Sequence, residues 1–191
     1  MASKKIVLIS GSQPPGVPPE ACAVLLKLAH SSGCLVFLDT GGLPLGKALS
    51  VGPDLVKING HEAQSVTGIV VTGPPSAAQA GRKLLAQGAK SAAISLGDRG
   101  MVGISRRDEP SIHAWTAPLG AKSTVGCGDS ALAGFAFAAA VGRSFERSLA
   151  LAVACGAANC LAPLPARITQ ENVSRFEPGV RVERVQEKEA P

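Results

Sequence analysis

Short, uninterrupted apolar runs alternate with longer segments whose apolar residues recur every three or four positions. The runs Ile6 to Ile9, Cys34 to Leu38, Leu55 to Ile58 and Ser91 to Leu96 have the length of strands buried on both faces. Helical patterns separate them. One begins at Pro18-Pro19-Glu20, runs to about Ser32 and stops at Gly33. A short one covers Pro44 to Leu49. A third spans about Gly60 to Val66, with Asn59 as a cap and Gly68 as its stop. A fourth covers Pro75 to Ala86 and closes at Gly88. Gly97-Asp98-Arg99-Gly100 is a turn, after which Met101 to Ser105 and Ile112 to Thr116 read as strands. Two apolar helices follow, about Asp129 to Val141 and Phe145 to Leu161, and Thr169 to Phe176 is a last short helix. This alternation predicts an α/β fold, a mostly parallel sheet with helices on both faces. Ligands of such sheets collect at the carboxyl ends of the strands. The polar and glycine-rich residues Ser10-Gly11-Ser12, Asp39, Lys57/Asn59 and Ser95/Gly97 fall at those ends.

Composition narrows the picture. The 191 residues suit one α/β domain over 1–191; 46% are hydrophobic and 17% charged, which excludes a disordered chain. The net charge of +5 is dispersed, and the tail from Arg167 to Pro191 mixes Arg167, Arg175, Arg181, Arg184 and Lys188 with Glu171, Glu177, Glu183, Glu187 and Glu189. With no basic block, no Tyr and one Trp, nucleic-acid binding is not expected. A mild positive balance suits anionic small molecules. Lys4 and Lys5 precede an apolar run too short for a signal sequence, and Ala131 to Val141 and Leu149 to Ala162 fall short of the roughly 20 residues of a membrane span. Cysteines 22, 34, 127, 155 and 160 are odd in number and form neither CxxC nor a zinc spacing. Free thiols in a reducing, cytoplasmic compartment are therefore expected.

Three segments carry candidate chemistry. In Ser123-Thr124-Val125-Gly126-Cys127-Gly128-Asp129-Ser130, two glycines flank a small residue and an Asp opens a long helix. A helix start offers unpaired N–H groups and a positive dipole end, and residues without bulk let an anion approach them. The residues alone leave open a tight loop with Asp129 as an ordinary cap. Cys127 at a helix start is either a reactive thiol or simply a small loop residue. In Lys57-Ile58-Asn59-Gly60-His61-Glu62, Asn59 and Glu62 share one helical face. They suit the water shell of Mg²⁺ or a capping box, and both roles can coexist. Ser95-Leu96-Gly97-Asp98-Arg99-Gly100 reads alone as a turn. His30, His61 and His113 form no metal spacing, and His30 is expected on the surface.

Taken in order, these segments resemble the PfkB (ribokinase-like) carbohydrate kinases. Gly11 to Val17 resembles the family's GSLPPGV, Cys34 to Gly41 its strand ending in Asp, Lys57 to Glu62 its KPNxxE, Ser95 to Gly100 its SLGxxG, and Ser123 to Ser130 its STVGAGDS signature. The likeness covers about residues 6 to 176 and is closest to the phosphofructokinase and tagatose-6-phosphate kinase branch. It implies a three-layer α/β/α fold and MgATP-dependent transfer of a phosphoryl group to a hydroxyl of a sugar or sugar phosphate. By position, Asp129 resembles the catalytic base, and Gly126, Cys127 and Gly128 the anion hole. Lys57 and Asn59 resemble ATP-phosphate contacts, Glu62 the residue that organises Mg²⁺ through water, and Ser95, Gly97 and Gly100 the nucleotide loop. Asn159 resembles a residue bordering the adenine or a monovalent-cation loop. Gln13 stands where the family has Leu, Ile58 replaces a Pro, Cys127 replaces Ala or Ser, and Pro163-Leu164-Pro165 replaces a glycine-bearing turn.

The family's N-terminal strands, β lid and GGNxxN signature have no counterpart here. The resemblance thus implies the ATP-binding, catalytic C-terminal portion of a sugar kinase. An open apolar sheet edge is then expected, covered by a second copy or a partner. The alternative is an inactive or partner-dependent nucleotide-binding fragment without the sugar-binding part. A dinucleotide-binding protein is disfavoured, because GxGxxG is absent.

Overall fold

The structure is a computed structural model and describes residues 5–106, 108–120 and 123–186. Lys4, Glu187, Lys188 and Glu189 of the sequence reading lie outside the described residues. The strands are β1 (Ile6–Ser10), β2 (Leu35–Asp39), β3 (Leu55–Asn59), β4 (Ala92–Ser95), β5 (Met101–Ile104), β6 (Ile112–Trp115) and β7 (Arg181–Arg184). The helices are α1 (Ala21–Ser31), α2 (Gly42–Leu49), α3 (Gly60–Thr67), α4 (Pro74–Ala86), α5 (Cys127–Ala140), α6 (Phe145–Leu161) and α7 (Gln170–Phe176). Each predicted element is present within a few residues of its predicted bounds, but β1, expected to be buried on both faces, lies at the sheet edge among the described residues and has no fully buried residue. The strand β7 was not foreseen.

Among the described residues the strands form one sheet in sequence order, β1 to β7. The strands β1 to β4 are parallel, and each later neighbour is antiparallel. Five of the seven strands therefore point the same way, and β5 and β7 oppose them. Side-chain alternation in β2 and β3 divides the core. Val36, Leu38, Val56 and Ile58 pack with α1 to α4 on one face, around Leu26, Leu45 and Leu84. Phe37 and Leu55 pack with Leu132, Phe135 and Leu149 of α5 and α6 on the other. A smaller cluster joins α5 and α6 to Val173 of α7. The result is a three-layer sandwich with a ribokinase-like order of elements.

Small residues let α5 and α6 approach closely. A Cβ at Gly134 would lie 3.0 Å from the Ala152 Cα and 2.9 Å from the Cys155 Sγ. This explains the alanine- and glycine-rich composition of both helices. No helix among the described residues is long and apolar enough to cross a membrane. His30 departs from its expected surface position. It is half-buried, and its Nε2 lies 2.9 Å from Asp54 Oδ2. Asp54 also accepts from the Val36 N–H and the Lys90 ammonium, so it ties α1, β2 and the approach to β4 together.

Candidate functional site

The register of the parallel strands aligns their polar carboxyl ends. Ser10 pairs with Asp39 across β1 and β2, and Asn59 pairs with Ser95 across β3 and β4. Just beyond this row lies the first turn of α5. Gly11 continues the row by donating its N–H to the Asp39 carbonyl at 2.8 Å.

Lys57 is the centre of charge. It sits inside β3, only 3% exposed, and its ammonium is ion-paired with the Asp39 carboxylate. A Cβ at Gly128 would lie 3.0 Å from Lys57 Nζ and 3.4 Å from Asp39 Oδ2. The backbone of α5 thus reaches the ion pair only because residue 128 has no side chain. Burial pushes the Asp39 carboxyl above its ordinary range, Lys57 opposes this, and the Glu62 and Asp129 carboxylates add to it. Three carboxylates therefore gather around one buried ammonium.

Asp129 opens outward beside this pair and is exposed. The Ser10 hydroxyl donates to Asp129 Oδ1 at 2.7 Å, which fixes the carboxylate across a sequence separation of 119 residues. No side chain caps α5, so its first-turn N–H groups are available to an external acceptor. One exception is Cys127, whose N–H donates to the Thr124 carbonyl at 3.2 Å.

The loop before α5 is held from behind. Gly126 has φ +78°, and a Cβ there would lie 2.9 Å from the Ala166 nitrogen. Ala166 itself adopts φ 55°, a left-handed conformation that a non-glycine residue adopts at some cost. Asn159, 1% exposed, clasps both segments. Its Nδ2 donates to the Val125 carbonyl at 2.7 Å and its Oδ1 accepts from the Ala166 N–H at 2.6 Å. The amide of Asn159 is therefore engaged by the protein and borders the loop before α5 from within.

Asn59 and Glu62 form the capping box. Asn59 Oδ1 accepts from the Glu62 N–H, and Glu62 Oε2 accepts from the Asn59 N–H, both at 2.9 Å. Glu62 also covers Gly41 after β2, where a Cβ would meet its Cγ at 3.2 Å. Ser95 and Gly97 lie at the end of β4. Gly100 (φ +82°) is fixed by space, since a Cβ there would fall 2.1 Å from the Ala114 carbonyl oxygen. Among the described residues no group of three or more side chains forms a ready metal cage. The carboxylate of Glu62 alone suits a hard cation that keeps most of its water.

Strand position puts Ser10, Asp39, Lys57, Asn59, Ser95 and Gly97 at the carboxyl end of the sheet, and the resemblance adds Gly126, Gly128, Asp129 and Glu62; the structure brings the two sets together. Sequence reasoning did not foresee the roles of Asp39 and Ser10 as direct partners of Lys57 and Asp129. Both had been noted as carboxyl-end residues, and that position was the available signal.

The sheet order is that of a three-layer α/β sandwich, with this polar cluster at the carboxyl edge of its sheet. The family model of pfkB carbohydrate kinases matches residues 1–171, and the chain belongs to that family. It is 38% identical over 148 residues to the 1-phosphofructokinase of Rhodobacter capsulatus, covering 78% of this chain and 46% of that protein. It is 34% identical over 161 residues to the ATP-dependent 6-phosphofructokinase isozyme 2 of Escherichia coli (strain K12), covering 83% and 52%. The crystal structure of phosphofructokinase-2 from Escherichia coli in complex with potassium superposes with a TM-score of 0.84 at 30% identity, over 92% of this chain and 57% of that one. The chain spans about half the length of the curated relatives it matches.

Proposed function

We propose that this chain is the ATP-binding, catalytic C-terminal portion of a sugar kinase, acting as one α/β unit over residues 1–191. It would transfer the terminal phosphoryl group of ATP to a hydroxyl of a sugar or sugar phosphate, in the manner of a phosphofructokinase or tagatose-6-phosphate kinase. One observation carries this reading. The Ser10-held carboxylate of Asp129 stands beside the buried Lys57–Asp39 pair, at the uncapped start of α5.

Phosphoryl transfer asks mainly for positioning and for neutralisation of the equatorial oxygens. The first turn of α5, with Gly126, Cys127 and Gly128, supplies a backbone anion hole for the moving group, in which the Cys127 N–H is shared with the Thr124 carbonyl. Asn59 contacts the ATP phosphates, and the ammonium of Lys57, buried behind Gly128 and paired with Asp39, acts on them through its field rather than by contact. Ser95, Gly97 and Gly100 form the nucleotide loop. Glu62 would hold Mg²⁺ through water, and the cation would supply charge that offsets the phosphates. Asp129 takes the acceptor's proton, and the Ser10 hydroxyl orients it. Asn159 acts as a positioning residue at the edge of the adenine and monovalent-cation loops.

A coupled ADP-release assay over fructose 1-phosphate, fructose 6-phosphate, tagatose 6-phosphate and free sugars tests the reading. Asp129→Asn should lower turnover about 10²- to 10⁴-fold with ATP binding retained. Unchanged turnover would remove Asp129 from the role of base. The same assay with and without potassium tests the monovalent cation.

A second reading has one observation in its favour, the half-length match to the relatives. In it the chain binds nucleotide and relies on a partner for the acceptor. The edge at β1, unpaired among the described residues, is the surface such a partner, or a second copy, would cover. Leu8 there is 43% exposed, and Val24, Leu25 and Leu28 of the neighbouring α1 are more so. Binding of ATP with no acceptor phosphorylated by any member of the panel would favour it.

A further inference from the structure

Cys127 and Cys160 face each other behind the anion-binding loop, with their sulfurs 3.2 Å apart. Cys127 is the first residue of α5, and Cys160 lies in the last turn of α6. Both are partly exposed, so a small oxidant can reach them. No such contact joins Cys22, Cys34 or Cys155 to another sulfur among the described residues.

We propose that Cys127 and Cys160 are a reversible oxidation site, a peroxide-sensitive dithiol set in the wall of the anion-binding loop. The two cysteines have different roles. Cys127 is at a helix start, where its sulfur also meets the Asn159 Nδ2 at 3.1 Å. The Cys160 thiol is pushed up to about 11 by burial and by the neighbouring Cys127, and so stays protonated until it is needed.

The chemistry balances with hydrogen peroxide as oxidant. The Cys127 sulfur attacks one peroxide oxygen, the O–O bond breaks and the thiol gives up its proton. The departing hydroxide takes a proton to become water, and Cys127 carries a sulfenic acid. The Cys160 sulfur gives up its proton and attacks the Cys127 sulfur. An S–S bond forms, the S–O bond breaks, and a second water leaves. Two electrons pass from the two thiols to the peroxide.

A disulfide has its sulfurs about 2.05 Å apart, so the pair must close by about 1.2 Å. The link would fasten the start of α5 to the end of α6, beside the Asn159 clasp on Val125 and Ala166. The consequence for catalysis rests on the kinase reading. Misplacing an aligned group by about 1 Å can cost about 10²-fold in rate.

The test uses the whole chain and two independent readouts. After peroxide treatment, free thiols counted in denaturant should fall by two, from five to three. Peptide mass spectrometry should find Cys127 joined to Cys160, and dithiothreitol should restore all five thiols. Cys160→Ser should stop at a Cys127 sulfenic acid that dimedone traps, and Cys160→Ala serves if the serine variant does not fold. A link between other cysteines overturns the proposal, as does sulfinic acid at Cys127 with Cys160 still free. Turnover should fall about 10²-fold on oxidation of the parent and hold steady in Cys160→Ser. A linked pair with no turnover in either redox state supports the dithiol and refutes the kinase reading instead.

Discussion

Replacing Lys57 with Met would leave the Asp39 carboxylate buried without its counter-charge. Lys57 and Asp39 side chains are 4% and 14% exposed, so little solvent could take the ammonium's place. Breaking such a pair from one side costs about 3–5 kcal/mol. The carboxyl has an alternative, which is to bind a proton. An unfolded aspartate titrates near 3.9, so keeping it protonated at pH 7 costs about 4 kcal/mol, and at pH 5 only about 1.5. The easier route sets the loss. Lys57→Met should therefore destabilise by about 3–4 kcal/mol at pH 7 and by no more than about 1.5 at pH 5. The sign follows from proton uptake. In the variant, folded Asp39 holds a proton that the unfolded chain releases, so stability falls as pH rises from about 4 upward. Burial already pushes Asp39 in this direction in the parent, against the pull of Lys57. Urea unfolding of parent and variant at pH 5, 6 and 7 measures the difference. Adding Asp39→Asn to Lys57→Met should remove most of its pH dependence. A loss that is equal at all three pH values, or below about 1 kcal/mol at pH 7, would refute the picture of a desolvated ion pair.

Asp54→Asn should cost about 1–2 kcal/mol at pH 7, because three bonds to Val36, Lys90 and His30 lose charge assistance. Burial works to raise the Asp54 pKa, but those partners outweigh it and the carboxyl lies below its ordinary value. Its contribution is thus full above the unfolded value of 3.8 and fades as pH falls through the lower folded one, which acid titration of the two proteins would show as converging curves. At the open edge, Leu8→Lys should weaken self-association measured by light scattering, since a charge on an edge strand opposes pairing. A parent chain that stays monomeric at concentrations on the order of 100 µM would remove the premise, as edge strands are expected to associate.

Four strands were legible because apolar runs of strand length are separated by helical periodicity and glycine stops; β2 to β4 are buried on both faces, whereas the equally apolar run of β1 lies at the sheet edge, a placement that sheet order decides. The stops at Gly33, Gly68 and Gly88 all carry positive φ, which the backbone needs there and glycine provides freely. The capping box at Asn59 and Glu62 was legible for the same reason, since its bonds are local. The strand β7 was not. Arg-Val-Glu-Arg lies at the sheet edge with three of its four residues exposed, so no apolar run marks it. Its pairing with β6 is decided by tertiary contact. Long-range pairs escaped similarly. Ser10 and Asp129, Asp39 and Lys57, and Cys127 and Cys160 meet only once sheet order and helix docking are set.

The two loop glycines are required for different reasons, and the difference explains the residue between them. Gly126 is fixed by conformation and by contact with Ala166, whose own left-handed backbone is held by Asn159. Gly128 is fixed by space, because a side chain there would press on Lys57 and Asp39. The glycine side of the loop therefore faces charge. Residue 127 can carry a side chain because its Cβ leaves on the opposite side, toward Asn159 and the end of α6. A small apolar residue would end the matter there. A cysteine instead brings a thiol to within reach of a second one, at the point where the loop is anchored. The oxidation state of that thiol would then act on the loop through its support, leaving the Ser10–Asp129 and Lys57–Asp39 contacts on the other side chemically unchanged.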